Sequence, residues 1–160
     1  MKRFYALLLS LAVTLAVLVP AANATLFIPT AGETQMAGVI LKGTAADAQL
    51  DLKLFTDAGS FVAADTWASR TELSGCTGYT SGTGKPLTAG TNWTTTGGQP
   101  IVETYTAQTW TFGGACTTIK GYAVVGHTSG VLYWEELLTV PFTPANNGDS
   151  LTITPRFQLQ

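Results

Sequence analysis

The segment Gln49–Phe55 reads QLDLKLF, with Leu50, Leu52 and Leu54 on one parity and Gln49, Asp51 and Lys53 on the other. Strict alternation of this kind predicts a half-buried β-strand, leucines inward and polar residues in water. The same period returns along the chain. Residues 71–80 predict a strand interrupted by Gly75 and Gly78, and Gly82, Gly84 and Pro86 then break it. Residues 91–96 predict a short strand carrying Trp93 and ended by Gly97 and Gly98. Residues 101–112 alternate without sorting into two faces, which a bulge near Gln108 explains. Two further strands, 119–125 and 131–138, flank the turn GHTSG, and 61–70 reads as loop. The last strand places Leu151, Ile153, Pro155, Phe157 and Leu159 on one face, after the turn signal NNGD at 146–149. Pro155 there predicts an edge or a bulge.

One stretch has a helical period instead. Thr30 with Glu33 three residues later reads as a capping box. Met36, Val39 and Ile40 then follow at helical spacing, and Gly43 stops the run. Seven or eight short strands with one small helix predict an all-β domain, an antiparallel β-sandwich or jelly roll.

The first 24 residues stand apart. Lys2 and Arg3 precede an apolar run from Phe4 to Val19 in which only Ser10 and Thr14 are polar, and Pro20 breaks it. Ala22-Asn23-Ala24 supplies small residues for a cut after Ala24, completing a secretory signal peptide. The run is shorter than the roughly 20 residues of a spanning helix. The expected mature domain is 25–160, with no membrane segment. It keeps all 17 glycines and 26 threonines, suited to strands and tight turns. It loses two of eight basic residues and none of the ten acidic ones. It carries no basic patch, so nucleic acid is not an expected partner.

Export bears on Cys76 and Cys116, each in a glycine-flanked segment, Ser74-Gly75-Cys76 and Gly113-Gly114-Ala115-Cys116. In an oxidising compartment they form either a bridge, contributing about 3–4 kcal/mol, or two separate buried thiols. With the single histidine, His127, they fall short of the ligand set of a structural zinc site.

The other motifs argue against familiar chemistry. GTGKP at 82–86 has Tyr79 where a phosphate loop needs glycine and Pro86 where it needs a hydroxyl. His127 sits in a glycine-flanked turn, and the sequence holds no GxSxG elbow. No motif implies a cofactor, and no residue is assigned a catalytic role. Trp93 and Trp110 lie in threonine-rich strands and would stack on sugars if exposed; as core residues they would not. Glu135 and Glu136 could be a glycosidase pair only if both faced one cleft. Consecutive strand residues point to opposite faces, which separates them. Glu136, grouped by parity with Leu132, Trp134 and Leu138, is the expected half-buried acid, with Arg156 or backbone amides as partners.

Several segments in order resemble a family of small structural proteins of tailed bacteriophages. They are LFIPTAGET…GVILKG (26–43), LDLKLFTDAG (50–59), GYT (78–80), TYTAQTWTF (104–112), KGYAVVGHTSGVLYWEELL (120–138) and NNGDSLTITPRFQLQ (146–160). The resemblance implies a non-enzymatic virion component with a β-sandwich core, a capsid decoration or tail-associated subunit. Its implied partners are other virion proteins and further copies of itself. The recurring Trp-x-Glu falls on Trp134 and Glu136, with Glu135 where a small residue is usual, and the Gly-Tyr pair falls on Gly121 and Tyr122. The export leader departs from the family. It points to a second expectation, an exported cell-surface or extracellular module that binds carbohydrate or surface proteins.

Overall fold

A computed structural model of the chain describes residues 26–43, 45–88, 90–97 and 101–159. The leader and its expected cut after Ala24 lie outside these residues, as do Gly98 and the side chain of Leu159. The described elements are a helix α1 (Thr30–Lys42) followed by strands β1 (Gln49–Phe55), β2 (Lys85–Thr88), β3 (Trp93–Thr96), β4 (Ile101–Tyr105), β5 (Gln108–Gly113), β6 (Ile119–Gly126), β7 (Leu132–Phe142), β8 (Asn147–Ile153) and β9 (Arg156–Leu159). All strand pairings are antiparallel. They form a four-stranded sheet β2-β1-β6-β7, a three-stranded sheet β3-β4-β9 and the pair β5-β8.

The main core lies between the large sheet and the two small ones. Leu52, Leu54, Tyr122, Val124 and Trp134 from one side meet Tyr105, Trp110, Phe112, Leu151 and Ile153 from the other. The fold is thus an all-β, sandwich-like domain with one short helix, as the alternation predicts.

The large sheet is buried on its second face too. Residues 56–72 cross that face as a strap, and Phe61 and Trp67 pack on Phe55, Ala123, Val125 and Leu132. This overturns the expected exposure of Asp51 and Lys53, both buried. Lys53 Nζ donates to the Gly82 carbonyl at 2.6 Å and lies 5.4 Å from the Trp67 ring, so its charge keeps partners in place of water.

Other boundaries differ for local reasons. Residues 71–80 are turns rather than a strand, with one bridge pairing Phe55 and Glu72. Gly78 there has φ 97°, and a Cβ on it would meet the Thr111 carbonyl at 2.0 Å. Lys85–Thr88 pairs with β1 despite Pro86, because β2 is an edge strand. The segment 101–112 is two strands in different sheets, with the change of sheet where a bulge was expected. The last strand likewise changes sheets at Thr154-Pro155.

The helix begins at Thr30 and ends on Gly43 in the left-handed conformation, φ 65°. The expected capping box is absent: the N-cap is Pro29, and no side chain caps the terminus. The Thr30 amide donates instead to the Ala63 carbonyl of the strap. A Cβ on Gly32 would meet the Tyr133 carbonyl at 2.4 Å, so the helix backbone lies directly against β7.

Candidate functional site

The residues singled out by the resemblance come together on β6 and β7. Tyr122 stands opposite Glu136, and Gly121 opposite Leu137. The Tyr122 hydroxyl donates to Glu136 Oε2 inside the core. Burial pushes the Glu136 carboxyl above the ordinary glutamate range, while Tyr122 and the charge of Arg156 pull it back in part. Arg156 makes no hydrogen bond to Glu136, so the expected partner is corrected to Tyr122. Gly121 leaves room for the Phe55 ring, whose Cζ would stand 2.2 Å from a Cβ. Trp134 packs on Phe157 and Trp93 at ring separations of 5.4 and 6.4 Å. Its Nε1 is buried with no hydrogen-bond partner among the described residues.

The two glutamates face apart, as strand geometry requires, but a register shift rearranges their neighbours. Val124 pairs with Trp134 and Val125 with Leu132, leaving Tyr133 as the extra residue. Tyr133 therefore joins the main core and Leu132 the strap side, the reverse of simple parity. Glu136 is buried rather than half buried, and Glu135 is buried completely, at 0 % exposure.

Glu135 is held by a residue that periodicity did not mark. Arg70 donates from Nε to Glu135 Oε2 at 2.5 Å and from Nη2 to Oε1 at 2.7 Å. Nη2 also reaches Asp65 Oδ2 at 2.5 Å, and Nη1 reaches Asp57 at 3.4 Å. The guanidinium lies 5.0 Å from the Phe61 ring and 5.7 Å from the Phe55 ring. Burial pushes Glu135 up, Arg70 partly offsets it, and Asp65 adds to the rise. The hydrogen bond to Glu135 in turn holds Arg70 above the ordinary arginine range. This cage ties the strap to β7. The sequence offered one signal, an arginine and two aspartates within a stretch that had no period.

The GHTSG turn carries a second polar cluster. Asp47 accepts from the amides of Thr128 and Ser129, from the Ser129 hydroxyl at 2.6 Å and from Tyr133. Burial pushes its carboxyl up, but those donors outweigh it and hold it below the ordinary range. Asp47 floors a concavity of about 280 Å³ lined by Gln35, residues 45–48, Thr128 and Ser129. His127 is half exposed, with Nδ1 3.0 Å from Asp51 Oδ2. The Ser129 hydroxyl is bonded to Asp47 and accepts from the Val131 amide, so it is not aimed by His127.

Cys76 and Cys116 are bridged, with Cα atoms 5.6 Å apart. Trp110 is buried in the core, which removes its ring as a sugar platform; Trp93 is half buried against Tyr105. No described helix is long and apolar enough to cross a membrane, and no group of metal-ligating side chains occurs among the described residues. Compared with known proteins, the chain matches no protein-family model and no curated protein.

Proposed function

We propose that this chain is a non-enzymatic structural subunit that works by binding other proteins and further copies of itself, as its resemblance to tailed-phage virion proteins implies. One observation carries the reading. Large apolar side chains stand in water at the end of α1 and along the outer half of β7: Ile40 is 79 % exposed, Leu41 80 % and Val140 64 %. Single exposed apolar residues are ordinary, but two adjacent ones at this exposure favour a contact surface. The buried carboxylates are compatible with that role, since Glu135, Glu136 and Asp47 all have partners that hold the fold together.

Mass spectrometry of purified particles from the producing host tests the proposal. The protein is expected in the particles, and Leu41→Lys with Val140→Lys should reduce its incorporation without lowering its melting temperature. Absence from particles, with accumulation in the medium, would overturn it. That outcome favours the second reading, an exported surface or extracellular module, which the disulfide supports because such bridges persist in oxidising compartments. Of the two candidate sugar-stacking rings only Trp93 stays partly exposed, so loss of glycan-array binding in Trp93→Ala is the expected result for that reading.

A further inference from the structure

Arg70, Asp57, Asp65 and Glu135 put three carboxylates around one guanidinium, and the side chains of Arg70, Asp65 and Glu135 are 4 %, 8 % and 0 % exposed. Two of the carboxylates share a single nitrogen, Nη2, at 2.5 and 2.7 Å. A buried pair of like charges on one donor is relieved when it shares a proton.

We propose that this cage is a proton latch: one proton held at Glu135, next to Asp65 on the shared nitrogen, clamps the strap 56–72 across the large sheet, and its loss loosens the strap. Apart from the cage, the strap is held by the packing of Phe61 and Trp67 on Phe55, Ala123, Val125 and Leu132. Phe61 stacks on Phe27 at 5.5 Å, and the Thr30 amide bonds to Ala63. Several strap amides depend on its closed form, those of Val62 and Thr71 through Asp65 and Asp57 and those of Ser69 and Arg70 through the short helical turn Trp67–Ser69.

No other charge on the packed elements takes the latch's place. β1 offers Lys53, spent on the Gly82 carbonyl and the Trp67 ring, and Asp51, turned to His127. β6 faces the cage with Ala123 and Val125. Glu72, at the strap's end, accepts from Tyr79 and the Gly82 amide. Glu136 points to the opposite face. Raised titration of Glu135 has the matching direction: the closed state holds the proton more tightly than the open one, so closure strengthens as pH falls and weakens as pH rises through the closed-state value.

Hydrogen exchange of the full chain, corrected for intrinsic rates, tests this. In mild acid the amides of Val62, Ser69, Arg70 and Thr71 should be protected. As pH rises, their protection should fall relative to β6 by up to about tenfold per pH unit, the slope of one linked proton. Glu135→Gln should remove the slope, and Asp65→Asn should leave it in place but move it to lower pH. A strap whose protection follows β6 at every pH overturns the latch in the native chain, with no variant needed. So does a slope that survives in Glu135→Gln.

Discussion

Tyr122 and Glu136 meet across β6 and β7, where the hydroxyl donates to a carboxylate that burial has stripped of water. Removing one partner of such a pair leaves the other unsatisfied, at about 1–3 kcal/mol and more if it stays charged. Tyr122→Phe should therefore destabilise the domain by at least that amount at neutral pH, read by chemical denaturation. Glu136→Gln should cost less, because the amide still accepts from Tyr122 and carries no charge. Adding Glu136→Gln to Tyr122→Phe should recover part of the loss. Equal, additive losses in the two single variants and their combination would show that the pair is not coupled. The opposed directions of the two glutamates were legible in strand parity. The partner was not, because it depends on which residue of β6 stands opposite, and pairing register is a long-range property. Tyr133 and Leu132 show the same limit, since one extra residue exchanged their faces.

At the scale of elements, the disulfide joins the turn-rich segment 73–80 to the connection between β5 and β6. That segment has few ladder bonds of its own. It is held by the bridge, by the Gly113 amide donating to the Thr77 carbonyl and by Gly78 pressed on Thr111. Closing a loop across a sequence separation of 40 restricts the unfolded chain. Replacing both cysteines with serine should cost about 3–4 kcal/mol on that account. Denaturation of the variant beside the native chain measures it; an unchanged midpoint would mean that the turn glycines and the core hold the segment alone. Most strands were legible because alternation survives wherever one face is buried. Residues 71–80 misled because their apolar residues Leu73, Cys76 and Tyr79, three positions apart, enter the core from turns. The split at 154–155 was hidden because the chain keeps its inward parity through it, as Leu151, Ile153 and Pro155 do; the split at 106–107 breaks parity between Tyr105 and Trp110 and so showed only as an expected bulge. Lys53 looked exposed because the strap that brings Trp67 over it has no periodic pattern to announce it, and Asp51 because its partner His127 comes from a distant turn.

Across the whole molecule, three buried carboxylates set how stability depends on pH. Glu135 and Glu136 titrate above an ordinary glutamate because burial disfavours their charge. From about pH 4.3, where an unfolded glutamate releases its proton, up to their raised values, the folded chain keeps protons that the unfolded chain has lost. The stability this brings is complete below the unfolded value and disappears as pH rises through the folded ones. Asp47 works in the other direction. Despite the opposing effect of burial, the Ser129 hydroxyl, the amides of the GHTSG turn and Tyr133 hold it below an ordinary aspartate. Its contribution is present above about pH 3.9 and is lost as pH falls through the lowered value. The two effects together predict a melting temperature that peaks in mild acid, declines toward neutrality and drops steeply in strong acid. Melting curves from about pH 3 to about pH 8 will show it. Glu136→Gln should flatten the neutral side, and Asp47→Asn should flatten the acid side while lowering the peak, since the amide cannot satisfy the same four donors as well. A melting temperature that climbs steadily to neutral pH would mean that Arg70 and Tyr122 stabilise the ionised glutamates more than burial penalises them, and the latch at the strap would lose its driving force with it.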